Sequence, residues 1–160
     1  MGDIDNDGLL EVVVYERNSS LLSEINTPNN IKLFKFINGK YSLTSTVQNN
    51  SEYCLSMNIS KAKNDISGVF VSAAIGAHSG SQFLYITKEG ELVSAIGRDI
   101  NSIYPSSIKD INGDKITEPS TLEADPNDPD SSYAVCAKIL TWYKWDGESD
   151  LTTVKVEETH

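Results

Sequence analysis

Oxygen-bearing side chains stand at the first, third, fifth and ninth positions of two nine-residue stretches, DIDNDGLLE from Asp3 to Glu11 and DINGDKITE from Asp110 to Glu118. Hard donors at that spacing can converge on a hard cation, and calcium takes six to eight oxygens at about 2.3–2.6 Å. An EF-hand is excluded, because its loop requires a bidentate glutamate at position twelve and flanking helices. That position holds Val14 in one stretch and Thr121 in the other, and strand-like sequence comes after both. Other chemistry is thin. The two histidines, His78 and His160, supply no histidine-rich zinc site. GAHSG around Ser79 is not a nucleophile elbow, since G-x-S-x-G spacing would put the serine where His78 stands. His78 reads as a loop-tip residue. Acid pairs such as Asp128 and Asp130 have the groups for glycoside hydrolysis, but EADPNDPD reads as a proline-punctuated solvated loop or as auxiliary cation contacts. No glycine-rich phosphate loop is present, and the chain is expected not to be an enzyme.

The elements that must carry these loops are strands. LLEVVVY, IKLFKF, KYSLTSTV, YCLSMNI, SGVFVSAAI, SQFLYIT, GELVSAI, KILTWYKW and LTTVKV are short, rich in β-branched and aromatic residues, and separated by Gly, Asn, Pro and Asp. Many short strands with regular turn signals suggest a sandwich, a barrel or a propeller. A second repeated element narrows the choice. FKFINGKYSL (34–43) and WYKWDGESDL (142–151) each run an aromatic pair into Asn-Gly or Asp-Gly, the favoured type I′ hairpin turns. A weaker copy, FLYITKEGELV (83–93), has Gly90 at its turn. Asp3 and Asp110 lie 107 residues apart, and Gly39 and Gly147 lie 108 apart. Two unrelated motifs keeping one offset imply three units of about fifty residues, near 1–50, 51–100 and 101–160.

The same offset places a middle loop at KAKNDISGV, Lys61–Val69. Asp65 keeps the fifth position there, but Lys61 and Lys63 replace Asp3 and Asp5. Either an ammonium stands in for the metal charge or these are solvated turn lysines; calcium binding is not expected in either case. Glu16–Asn30 and Pro119–Tyr133 read as long insertions, whereas Gly76–Ser81 makes the equivalent connection tightly. Long loops on a rigid β scaffold serve recognition or are tolerated surface insertions.

A chain of 160 residues with ten net negative charges is sized for one domain and carries the wrong sign for nucleic acid or an anionic membrane surface. No apolar run approaches the ~20 residues of a membrane span. Cys54 and Cys136 are too few for a disulfide scaffold; they read as small buried apolar residues, with a single bridge as the alternative. Trp142, Tyr143, Trp145, Phe34 and Phe36 could form a sugar-stacking platform, but their alternation favours packing between neighbouring sheets.

The acidic loop feeding EVVVY, repeated together with an aromatic hairpin, resembles the FG-GAP and VCBS repeats of integrin-α-type β-propellers. The resemblance covers nearly the whole chain, strongly at Asp3–Tyr15 and Asp110–Glu118 and weakly in the middle. It implies an all-β fold of about three four-stranded antiparallel blades, a single partial propeller over residues 1–160. The metal loop would join the first strand of a blade to the second. Carried over by position, the calcium ligands become Asp3, Asp5, Asp7 and Glu11 with the Leu9 carbonyl, and Asp110, Asn112, Asp114 and Glu118 with the Ile116 carbonyl. Lys115 departs from the pattern where the first loop has Gly8, a residue that reaches positive φ without strain.

The first unit, opening on its loop, is expected to lack its first strand, which reads as a boundary inside a longer protein. The resemblance further implies an extracellular or cell-surface, bacterial, calcium-binding module with a protein or carbohydrate ligand. A homodimer completing the ring is one expected assembly. The alternative is the non-catalytic part of a secreted propeller lyase or hydrolase.

Overall fold

Asn38 and Gly39 turn the chain at φ 52° and 80°, the two positive angles that a type I′ hairpin needs. On either side β2 (Asn29–Ile37) and β3 (Lys40–Asn49) pair antiparallel, and β1 (Val12–Glu16) pairs with the far edge of β2. A second sheet runs β4 (Tyr53–Lys63), β5 (Ile66–Ile75), β6 (His78–Ile86) and β7 (Leu92–Ser94), with β8 (Ile100–Ser102) also paired to β6. The third sheet orders β9 (Ile108–Lys109), β10 (Glu118–Ala124), β11 (Lys138–Trp145) and β12 (Leu151–Thr159). This computed structural model describes residues 1–17, 29–49, 53–64, 66–75, 78–86, 90–94, 100–102, 107–129, 135–146 and 151–159. Among them the protein is all-β, with antiparallel pairing throughout and no helix. Among the same residues no sheet closes on itself.

The second sheet lies between the other two, and its sequence shows why. Val69, Phe70 and Val71 are consecutive and all buried, the continuous apolar run of a strand covered on both faces. Val69, Val71 and Ala73, with Leu92, meet Val13, Ile31 and Leu33 of the first sheet; Ile4 from the first acidic loop joins them. Phe70 and Ala62 point the other way and pack on Trp145, with Ile108 and Leu151 alongside. Burying a Val, Leu, Ile or Phe side chain contributes about 1.5–3 kcal/mol each, so these two layers hold the three sheets together. The aromatic residues divide between roles. Trp145 packs between sheets and Trp142 is buried, its indole N–H donating to Glu157 Oε2 at 3.0 Å, whereas Phe36 is exposed.

The first strand expected to be missing from the first unit is represented by one residue. Gly2 and Glu11 form an isolated bridge, N–H to carbonyl in both directions at 3.1 and 2.9 Å. The equivalent station in the third sheet is the Lys109–Glu118 pair of β9 and β10. Gly2 passes so close to β4 that a Cβ there would lie 2.6 Å from Ile59 Cγ2.

Three expectations are corrected. The middle stretch is not a loop: Lys61 and Lys63 are β4 residues paired with Ser67 and Ile66 of β5, and the chain reverses tightly at Asn64, φ 42°. There is no room for a nine-residue cradle; Asp65 lies outside the described residues. The second long insertion starts later than Pro119, because Pro119–Ala124 belong to β10. Cys54 is half-buried, Cys136 is buried, and both thiols are free, which removes the disulfide alternative. The Gly147 turn, residues 18–28 and 130–134, and His160 lie outside the described residues.

Candidate metal centre

Both acidic stretches fold into the same loop, the first running into β1 and the second joining β9 to β10. In the first, Asp3 Oδ2 accepts the Gly8 N–H (3.1 Å), Asp5 Oδ1 that of Asp7 (3.3 Å), Asp7 Oδ1 that of Leu9 (2.8 Å) and Glu11 Oε2 that of Ile4 (2.7 Å). In the second, Asp110 Oδ2 accepts from Lys115 (2.8 Å), Asn112 Oδ1 from Asp114 (2.9 Å), Asp114 Oδ1 from Ile116 (2.8 Å) and Glu118 Oε2 from Ile111 (3.1 Å). The four bonds correspond position for position. Asp110 Oδ1 additionally accepts from Asn112 and Gly113 at 3.1 and 2.7 Å. Backbone N–H groups thus wind each loop around its own carboxylates, as short polar side chains do in turns.

The winding needs left-handed backbone at the fourth and sixth positions. Asn6 and Gly8 supply it in the first loop at φ 59° and 86°; Gly113 and Lys115 supply it in the second at 83° and 67°. Lys115 therefore adopts the conformation that Gly8 takes without steric cost.

At the ninth position the glutamates are driven inside, Glu11 to 1% and Glu118 to 0% exposure. Burial pushes the Glu11 carboxyl up, the Ile4 N–H opposes it, and the charges of Asp5 and Asp7 raise it further. Burial likewise pushes Glu118 up against the Ile111 N–H. Burial also acts upward on Asp110, but the N–H groups of Lys115, Gly113 and Asn112 together outweigh it and hold that carboxyl below its ordinary value. Asp114 is held down first by the Lys144 ammonium, then by the Ile116 N–H, and the same contact raises Lys144.

One oxygen from each of Asp3, Asp5 and Glu11 lies within 4.8 Å of the other two. At that separation two like charges repel by roughly 3 kcal/mol at an effective dielectric near 20. Asp7 is not part of the trio. In the second loop Asn112 occupies the third position, and Asp114 Oδ2 is drawn to Lys144 Nζ at 2.8 Å. Two carboxylate oxygens, Asp3 Oδ1 in the first loop and Glu118 Oε1 in the second, are buried with no hydrogen-bond partner. An anionic oxygen withdrawn from water without a partner is costly, and an oxygen-seeking cation is what would satisfy it. The donor set fits such an ion. The Leu9 and Ile116 residues stand at the seventh position of each loop, Leu9 exposed and Ile116 half-buried.

Sequence reasoning missed two residues, Lys35 and Lys144. Each comes from the aromatic hairpin of its own unit and lays its ammonium on a loop carboxylate, Lys35 on Asp5 Oδ2 at 2.5 Å and Lys144 on Asp114 Oδ2 at 2.8 Å. In sequence each lysine sits between aromatics, FKF and YKW, but at different stations: Lys35 is four residues before Gly39 and Lys144 three before Gly147. Compared with known protein families, with curated proteins and with solved structures, the chain finds no match.

Proposed function

We propose that this chain is part of an exported, calcium-binding β-propeller of the FG-GAP/VCBS type, serving as a binding or structural module without catalysis. Three consecutive antiparallel sheets, with acidic loops running into β1 and β10, are consistent with that reading. The observation that carries it is the Asp3–Asp5–Glu11 trio with Asp3 Oδ1 buried and unpartnered.

Asp3, Asp5, Asp7 and Glu11 with the Leu9 carbonyl would hold one ion. Asp110, Asn112, Asp114 and Glu118 with the Ile116 carbonyl would hold a second. All are oxygen donors, which suits calcium. The ion's part is structural: it turns repulsion between gathered carboxylates into a staple between each loop and the strand that follows it. Extracellular modules bind calcium in the ~10⁻⁴–10⁻³ M range, so sites of this kind fill outside cells rather than in the cytosol. A protein or carbohydrate ligand is the partner this reading implies.

Calorimetric titration of the protein and of an Asp3→Asn, Asp5→Asn variant tests the assignment. The variant should lose one of two binding events. Equal calcium uptake by both proteins, or none by the parent at millimolar calcium, overturns it.

A further inference from the structure

Each acidic loop already has a positive charge lodged in it. The two lysine side chains are partly buried, 18% exposed for Lys35 and 29% for Lys144. Lys35 is also seated against Gly90 at the entry to β7, where a Cβ would come within 3.3 Å of Nζ. The oxygens they occupy matter. Asp5 Oδ1 and Asp114 Oδ1 are committed to backbone N–H groups that wind the loop, and the lysines take the remaining Oδ2 atoms. Those Oδ2 atoms, of which that of Asp114 also accepts from Asn112 Nδ2 at 3.3 Å, are ones a cation would need.

An ammonium is nevertheless an incomplete occupant. It carries one charge and three donors, whereas calcium gathers six to eight oxygens. The shortfall is visible in the structure, since Asp3 Oδ1 and Glu118 Oε1 stay buried without a partner and Glu118 is wholly enclosed. A lysine head sits at the end of a flexible four-carbon stem, so it can leave without disturbing the strand that bears it.

We propose that Lys35 and Lys144 are tethered counter-ions, each holding its loop together at low calcium and displaced by the ion when it binds. This rests on the calcium reading above. The affinity of each loop then reflects a competition between calcium and its own lysine. The second loop, with three carboxylates of which Lys144 takes one, binds more weakly than the first, with four carboxylates of which Lys35 takes one.

Two measurements on the full chain test this. Calorimetry with calcium should show at least about threefold tighter binding at the first loop for Lys35→Met and at the second for Lys144→Met, because methionine keeps the stem and removes the charge. Both variants should melt at lower temperature in chelator. Amine acetylation of the unaltered protein, read by mass spectrometry, should show Lys35 and Lys144 becoming more reactive on adding calcium, with exposed Lys40 as the reference. If the parent binds calcium but the variants bind it equally or less well, or the two amines keep their reactivity, the counter-ion proposal fails and the calcium reading stands. If the parent binds no calcium, the calcium reading falls and takes this proposal with it.

Discussion

At the scale of single residues, Lys115 is where the two loops part company. Its φ of 67° is a left-handed conformation that costs a side-chain-bearing residue about 1–2 kcal/mol. Lys115→Gly should therefore stabilise the protein by about 1 kcal/mol, the strain relieved less the extra freedom glycine brings to the unfolded chain. Urea denaturation in chelator measures it, and a loss of stability would show that the lysine side chain is anchored. Glu11 gives a pH prediction. Its folded pKa is raised, chiefly by burial, so the metal-free fold retains the proton at pH values where the unfolded chain has lost it. Its contribution to stability is greatest below the unfolded value and is lost as pH rises through the folded one. Glu11→Gln keeps an oxygen for the Ile4 N–H and removes the ionisation. Melting in chelator should accordingly fall less steeply above pH 5 for the variant than for the parent; parallel profiles would contradict the cause. At this scale the donor spacing of both loops was legible in the sequence. The lysines were not, because which strand residue meets a loop carboxylate 30 positions away depends on how the strand is faced, and an alternating aromatic–lysine pattern does not say which face is which.

Among the elements, packing decides what the pattern leaves open. The Asn38-Gly39 hairpin, the run around Phe70 and the short strands of all three sheets follow from turn chemistry and alternation. The middle connection does not, since repeat spacing suggested a loop where Lys61 and Lys63 extend the ladder between β4 and β5. Pro119 also misled. A proline argues against a central strand, yet the β11 ladder on β10 begins only at Ser120, so Pro119 breaks no bond there and faces Ile108 of the two-residue β9. Two substitutions test the junctions between sheets. Trp145→Ala removes the large side chain that meets Phe70 and Ala62 and should cost about 3–5 kcal/mol. Gly2→Ala drives a methyl to within 2.6 Å of Ile59 Cγ2 and should cost about 1–3 kcal/mol through overpacking. Both are read from denaturation midpoints. A neutral Gly2→Ala would mean that the Gly2–Glu11 bridge yields without loss.

For the molecule as a whole, the first sheet has one face in the core and one in water. Val13, Ile31 and Leu33 point to the second sheet. Val12, Phe34 and Leu43 are register partners on the opposite face, joined there by Val14 and by the Phe36–Tyr41 edge-to-face pair. Leu43 is 51% exposed and Val14, Phe36 and Tyr41 are exposed as well. Exposed large apolar side chains gathered on one sheet face are the kind of surface that marks an interaction site. The outer strand β12 is less inviting: beside exposed Val154 and Val156 it carries Lys155, Glu157 and Glu158, and charge of this kind discourages edge-to-edge pairing. Self-association in calcium-containing buffer is therefore expected to use the open face rather than strand addition. The symmetric dimer is the simplest form, because closed homo-oligomers are most often two-fold. Light scattering should give a mass above that of one chain, falling to one chain for Phe36→Glu with Leu43→Glu, whose carboxylates would have to be buried unpaired at such a contact. A parent protein that stays monomeric across a hundredfold dilution range would show that this face is not a self-association surface. A dimer that survives the paired glutamates would locate the contact elsewhere.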